Sequence, residues 1–164
     1  MLSKILKLQD LIKVVDDLRK SGKKIVFTNG CFDILHVGHV RYLAAARSQG
    51  HVLVVGLNSD ESVRSIKPEN RPIVNQNQRA EVLAALECVD YITVFNEPDP
   101  LKIIKELKPD VLVKGADWIE EKIIGADIVR ANGGKVVRVS VVPEISTSRI
   151  IQRIAKRYQP GDGG

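Results

Sequence analysis

Thr28-Asn29-Gly30-Cys31-Phe32-Asp33-Ile34-Leu35-His36-Val37-Gly38-His39 is the stretch that decides how this chain is read. It follows the apolar run Ile25-Val26-Phe27 and leads into a helical pattern over Val37–Gln49. A strand-to-helix turn aims backbone N–H groups and the positive end of the helix dipole at one point, which suits phosphate. His36 and His39 lie three residues apart at the opening of that helix, and Gly38 between them allows close approach of a bulky anion. The pattern predicts a polyphosphate cradle with two nitrogen donors.

Outward from this stretch, short β-branched runs alternate with helical patterns. The runs are Lys24–Thr28, Val52–Leu57, Tyr91–Phe95, Val111–Lys114 and Lys135–Val141. Helical patterns fall at Val37–Gln49, Gln76–Glu87, Pro100–Leu107, Glu120–Asn132 and Thr147–Tyr158. Such alternation predicts βαβ units with right-handed crossovers, and hence an α/β fold with a mostly parallel five-stranded sheet between helical layers. The runs are almost uninterruptedly apolar, as expected when both sheet faces are covered. Leu8, Leu11, Ile12, Val15 and Leu18 repeat at helical spacing, which predicts a docking helix over about 8–20. Residues 1–159 are expected to form one domain and 160–164, Pro-Gly-Asp-Gly-Gly, a disordered tail.

In open α/β sheets ligands bind outside the carboxyl ends of the strands. Four polar clusters are expected on that rim: Thr28-Asn29-Gly30, Asn58-Ser59-Asp60, Gly115-Ala116-Asp117-Trp118 and Ile145-Ser146-Thr147-Ser148.

Composition narrows the function classes. The 164 residues are 44% hydrophobic and 27% charged, ordinary values for a soluble globular protein, and include no stretch resembling a membrane span or signal peptide. A net charge of +5 suits anionic small substrates, while aromatics at 4% leave few stacking platforms for nucleic acid. The run Arg149–Arg157 reads as a solvated helix face. Cys31 and Cys88 show no paired spacing, so a reducing cytoplasm is expected. Cys31 lies in the cradle, but no further histidine–acid arrangement supports it as a nucleophile.

The histidine pair admits three readings. Metal ligation falls short of the three or four ligands a zinc site needs, since His51 is the only other histidine and opens a strand at its amino end. Helix capping is the structural alternative, and phosphate contact is favoured. Ser146-Thr147-Ser148 admits both N-capping and phosphate contact. Lys67-Pro68-Glu69-Asn70-Arg71-Pro72-Ile73, followed by Gln78-Arg79, is either a solvated loop or a cationic segment closing over phosphates.

The stretch Gly30–His39 resembles the GxFDxxHxGH signature of the cytidylyltransferase-like nucleotidylyltransferases, with His36-Val37-Gly38-His39 as their HIGH motif. Ile145-Ser146-Thr147-Ser148 resembles their ISTT motif, and the likeness runs from about Ile25 to Ile154. Within the family, similarity is greatest to the adenylyltransferases that make ADP-heptose from heptose 1-phosphate. It is carried by Asn58-Ser59-Asp60-Glu61-Ser62-Val63, Arg71-Pro72-Ile73, Leu83-Ala84-Ala85-Leu86-Glu87 and Pro109-Asp110-Val111-Leu112-Val113-Lys114-Gly115.

The resemblance implies a Rossmann-like three-layer sandwich, ATP and a sugar 1-phosphate as substrates, and Mg²⁺ carried mainly by the nucleotide phosphates. It implies that His36 and His39 contact the phosphates and that Lys67 and Arg79 grip the triphosphate. Phe32, Asp33 and the backbone of Thr28, Asn29, Gly30 and Cys31 would line the nucleotide pocket beside Gly38. Gly115 and Asp117 would hold the nucleoside, and Ser146, Thr147 and Ser148 phosphate. This activity is often fused behind a sugar kinase. A stand-alone form is expected here, with a separate sugar kinase and phosphatase in the pathway and a homodimer as the assembly. Glycerol-phosphate cytidylyltransferases carry an arginine shortly before the ISTT motif, where this chain has Val141-Val142-Pro143-Glu144. A cytidylyltransferase acting on an alcohol phosphate such as glycerol 3-phosphate is the alternative, and a non-catalytic nucleotide-binding module is another.

Overall fold

Five apolar segments become five strands in one sheet. They are β1 (Ile25–Gly30), β2 (Val52–Asn58), β3 (Tyr91–Phe95), β4 (Val111–Gly115) and β5 (Lys135–Val139). The computed structural model describes residues 1–68, 70–140 and 142–158. Glu69 and Val141, and the tail expected over 160–164, lie outside the described residues. All pairings are parallel and the strand order is β3-β2-β1-β4-β5. The sheet is therefore wholly parallel.

Helices α1 (Leu8–Lys20), α2 (Val37–Arg47), α3 (Asp60–Ile66), α4 (Gln76–Ala84), α5 (Leu101–Leu107), α6 (Ala126–Ala131) and α7 (Thr147–Arg157) complete the chain. One apolar cluster joins Leu11 and Val15 of α1, Ile103, Ile104 and Leu107 of α5 and Val129 of α6 to Phe27 and Val54 of the sheet. A second joins Leu43 of α2 and Ala80 and Leu83 of α4 to Val26, Leu53 and Val55. Alternate residues of β1 and β2 thus feed opposite cores, and every residue of β2 is buried. That is the three-layer arrangement the strand composition predicts.

Three local departures from the sequence reading have physical causes. Asn29 and Gly30 continue β1 instead of turning, because they pair with Gly56 and Leu57. The helix expected over Glu120–Asn132 breaks into a 3₁₀ turn (Glu120–Lys122) and α6, separated by Gly125 at φ +82°. A Cβ there would lie 2.6 Å from Ile104 Cδ1, so the chain turns on the one residue that fits. Helix α3 was not expected; it is short, and Ser59 caps it by accepting the Ser62 N–H at 3.1 Å.

The N-terminus guards an edge. Ile5 bridges to Ile92 of β3, the Leu6 N–H donates to Ile92 O at 2.9 Å, and Lys4 Nζ donates to Val89 O at 2.7 Å. Helix α1 is part of the core, since Leu11 and Val15 are wholly buried. Leu11→Ala should therefore cost roughly 2–5 kcal/mol in denaturant unfolding. A loss below 1 kcal/mol would make the helix an appendage.

Candidate active site

The strand order reverses between β1 and β4, because β2 and β3 lie on one side of β1 and β4 and β5 on the other. Open α/β sheets bind ligands at this switch point, outside the strand carboxyl ends. The loop from Cys31 to His36 leaves β1 there and is tightly coiled. Phe32 and Ile34 both have left-handed backbones, φ +46° and +50°, which is strained for non-glycine residues and most of all for a β-branched one.

That coil turns Asp33 inward. Its side chain is fully buried, with Oδ2 accepting Arg71 Nε at 2.6 Å and the Ile73 N–H at 2.9 Å, and Oδ1 the Val74 N–H at 2.9 Å. Burial alone would raise its pKa, but the two amides and Arg71 outweigh it and hold the carboxyl below the usual range. The Asp33 carbonyl accepts from Thr147 Oγ1 at 2.5 Å. One residue thus ties the β1 loop to the loop before α4 and to the start of α7.

His36 is the N-cap residue of α2, and its N–H donates to His39 Nδ1 at 3.4 Å. The rings stack with centroids 3.8 Å apart, and Phe32 meets His39 edge-on at 5.4 Å. His36 Nδ1 is buried without a hydrogen-bond partner among the described residues. Burial, and then the neighbouring His36, push His39 down to about 4, and burial lowers His36. Both rings are neutral at pH 7. With Nδ1 accepting, a neutral His39 carries its proton on Nε2. Capping and donation therefore coexist in one ring. A Cβ at Gly38 would lie 2.9 Å from the His36 ring, so this glycine makes room for the imidazole. The space that the sequence pattern suggests for an anion is taken by a side chain of the protein itself.

Other residues are placed differently from expectation. Arg79, expected on the triphosphate, is among the largest fully buried side chains. Its guanidinium donates to Val74 O at 2.8 Å, Cys31 O at 2.6 Å, Asn58 O at 2.9 Å and Asp60 Oδ1 at 2.7 Å. These bonds consume the donors a phosphate would need, so Arg79 is a clamp. Asp33 and Phe32 are both buried, and their side chains present little surface at the rim. Thr28 is buried too, its hydroxyl 2.7 Å from Tyr42 OH and 3.1 Å from Val113 O. Ser146 caps α7 by accepting the Arg149 N–H at 3.2 Å, and Thr147 serves Asp33, which leaves the exposed Ser148 for a ligand.

Lys67 is exposed at the end of α3, and it, Arg79 and Arg71 all act on the Cys31 thiol. Burial nonetheless pushes that thiol up, which disfavours the thiolate a nucleophile requires. Gly115 ends β4, buried, with Asp117 exposed just beyond. The neighbouring Lys114 was not singled out: it is 8% exposed and its ammonium donates to Asn29 Oδ1. Its preceding run, Val111-Leu112-Val113, reads as an apolar strand continuing into a lysine, and the residue also falls in the Pro109–Gly115 stretch that carries the resemblance. His51 lies at the amino end of β2, its Nδ1 accepting the Lys24 N–H at 2.9 Å. No described helix is long and apolar enough to cross a membrane.

A wholly parallel doubly wound sheet, with a helix start and a half-buried, stacked histidine pair beside its switch point, defines a Rossmann-like nucleotide-binding fold. The family model described as Cytidylyltransferase-like matches residues 27–153, and the chain belongs to that family of nucleotidyltransferases. It is 51% identical over 156 residues to the bifunctional protein HldE of Geobacter metallireducens, covering 95% of this chain and 32% of that protein. Against HldE of Syntrophotalea carbinolica identity is 50% over 159 residues, covering 97% and 32% respectively. The chain spans about a third of the length of these relatives.

Among solved structures, the lipopolysaccharide core biosynthesis protein from Thermoplasma volcanium superposes with a TM-score of 0.60 at 30% identity, over 73% of this chain and 97% of its own. Pantoate-beta-alanine ligase from Francisella tularensis shares the fold, with a TM-score of 0.63 at 17% identity over 93% of this chain and 76% of its own.

Two measurements test the site as built. Removing one partner of a buried, hydrogen-bonded ion pair typically costs about 3–5 kcal/mol, and Asp33→Ala should lose that much stability at pH 7. The stability Asp33 contributes is fully present above the unfolded carboxylate pKa and is lost as pH falls through its lower folded value; a variant with an unchanged acid limb contradicts this. In an NMR titration His39 should stay neutral until about pH 4. A midpoint near the ordinary imidazole value would show that the stacked, partly desolvated pair does not form.

Proposed function

We propose that this chain transfers the adenylyl group of ATP to a sugar 1-phosphate, with heptose 1-phosphate as the acceptor, releasing pyrophosphate. The observation that carries the reading is the stacked histidine pair at the start of α2, with a buried and unpartnered His36 Nδ1. Neutral imidazoles beside helix N–H groups can donate to phosphate oxygens without a desolvation cost for extra charge.

An oxygen of the acceptor phosphate attacks the α-phosphorus, the bond to the bridging α–β oxygen breaks, and its electron pair leaves with pyrophosphate. A phosphate dianion needs no general base, so the protein's task is alignment and charge stabilisation. His36 and the Nε2–H of His39 would hold oxygens of the reacting phosphate. Lys67, exposed at the end of α3, and Ser148, at the start of α7, would meet the outer phosphates.

Mg²⁺ would come bound to the triphosphate, since the site offers imidazole, amide and cationic donors while its buried carboxylate, Asp33, is already saturated. The description of the Thermoplasma volcanium relative as a lipopolysaccharide core biosynthesis protein supports a heptose acceptor. A sugar kinase would then have to supply the sugar 1-phosphate.

His36→Ala and His39→Ala should each lower turnover roughly 10²- to 10³-fold, the usual loss for one preorganised donor. Pyrophosphate release is the readout. His39→Ala should in addition lose about 0.5–2 kcal/mol of stability, because its Nδ1 also caps α2. Near-normal turnover in either variant sinks the assignment. Pairing ATP and CTP with heptose 1-phosphate and glycerol 3-phosphate tests the substrates. Preference for CTP with glycerol 3-phosphate would replace this reading, and tight ATP binding without turnover would reduce the chain to a binding module.

A further inference from the structure

Lys114 carries a buried charge that the fold itself does not explain. The parallel register sets Val26 beside Val111 and Phe27 beside Leu112, and the same offset brings Asn29 beside Lys114 at the carboxyl ends of β1 and β4. This is the switch point itself. The ammonium is 8% exposed, donates to the Asn29 side-chain carbonyl, and lies 5.5 Å from the ring centroid of Trp118. Among the described residues it pairs with no carboxylate. Burial lowers its pKa to about 8. An amide oxygen and the face of an indole ring satisfy part of an ammonium's needs, but among the described residues its charge has no counter-ion, in a place where charge is costly.

The remaining cations of the rim are disposed differently. Lys67, Arg71 and Arg79 come from segments that follow β2, on the other flank of β1. Arg71 is bound to Asp33 and Arg79 to Asp60. In-line transfer brings two polyanions together from opposite sides of one phosphorus. Their mutual repulsion has to be offset by positive charge on each side, not by one shared cluster. The β2 flank and the start of α2 supply one side, and Lys114 is the buried cation on the other.

We propose that Lys114 binds the phosphate of the acceptor, and that Asn29 positions its ammonium before the acceptor arrives. The assignment rests on the nucleotidyl transfer proposed for this site. The ligand is a phosphate monoester dianion, held by a hydrogen bond to a charged donor at the β4 flank, away from the triphosphate.

Steady-state kinetics of the full chain with ATP and heptose 1-phosphate tests it, using wild type, Lys114→Met, Lys114→Arg and Asn29→Asp. The methionine variant should raise the acceptor KM roughly ten- to hundredfold, the size of one lost charge-assisted hydrogen bond. The KM for ATP should change less than about twofold on that scale. Arginine should restore part of the acceptor affinity. Aspartate at position 29 should weaken acceptor binding with Lys114 intact, by giving the ammonium a permanent counter-ion. An equal rise in both KM values, a fall in kcat alone, or no change in the acceptor KM overturns the assignment. Wild-type protein that releases no pyrophosphate with any sugar 1-phosphate overturns the reading of function, and the role of Lys114 falls with it.

Discussion

A carboxylate without access to water sits at the centre of the carboxyl rim, and the geometry around it follows from the need to satisfy it. Asp33 reaches the interior because the loop after β1 accepts left-handed backbone at Phe32 and Ile34. Once there, it draws in the Ile73 and Val74 amides and the Arg71 side chain. Leaving any of those contacts unmade would strand a buried charge, so the loop before α4 has little freedom. The backbone carbonyl of the same residue receives Thr147, which fixes where α7 begins. Segments far apart in sequence are thereby registered against the helix start that carries the histidines.

Arg79 does the complementary work with positive charge. It gathers the Cys31 carbonyl, the end of β2, the first residue of α3 and the loop before α4 around one guanidinium. Two opposite charges, each saturated by mostly backbone partners, make a rigid frame out of what would otherwise be adjoining loops. The histidines use that rigidity. A neutral, stacked pair with one orphaned nitrogen is a preorganised donor set, and a mobile loop could not hold it.

Most of the fold was legible in the chain. Alternation of β-branched runs with helical spacing gave the strands and the crossovers, and all five strands fall where the apolar runs lie. The histidine pair, the glycine between them and the rim clusters were legible as well. The roles of Arg79, Thr147, Asp33 and Thr28 were not, because the groups that suit phosphate also suit backbone carbonyls and amides. Arginine donates to either with equal facility, and only the depth of Arg79 decides which it meets. Helix α3 is not legible because seven residues carry too little periodicity. The burial of Lys114 is not legible either, because a lysine ending an apolar run reads as a strand reaching solvent.

The sequence by itself determined the layer order, the position of the helix start and the chemistry gathered at the switch point, since these depend on local pattern and on the handedness of parallel crossovers. Tertiary structure decided which polar groups face a ligand and which are consumed in holding the rim together. That division depends on burial and on partners supplied from distant segments, such as Val113 for Thr28 and Asn29 for Lys114, and no local pattern encodes either. A charge is free to bind only where the fold has left it without a counter-ion.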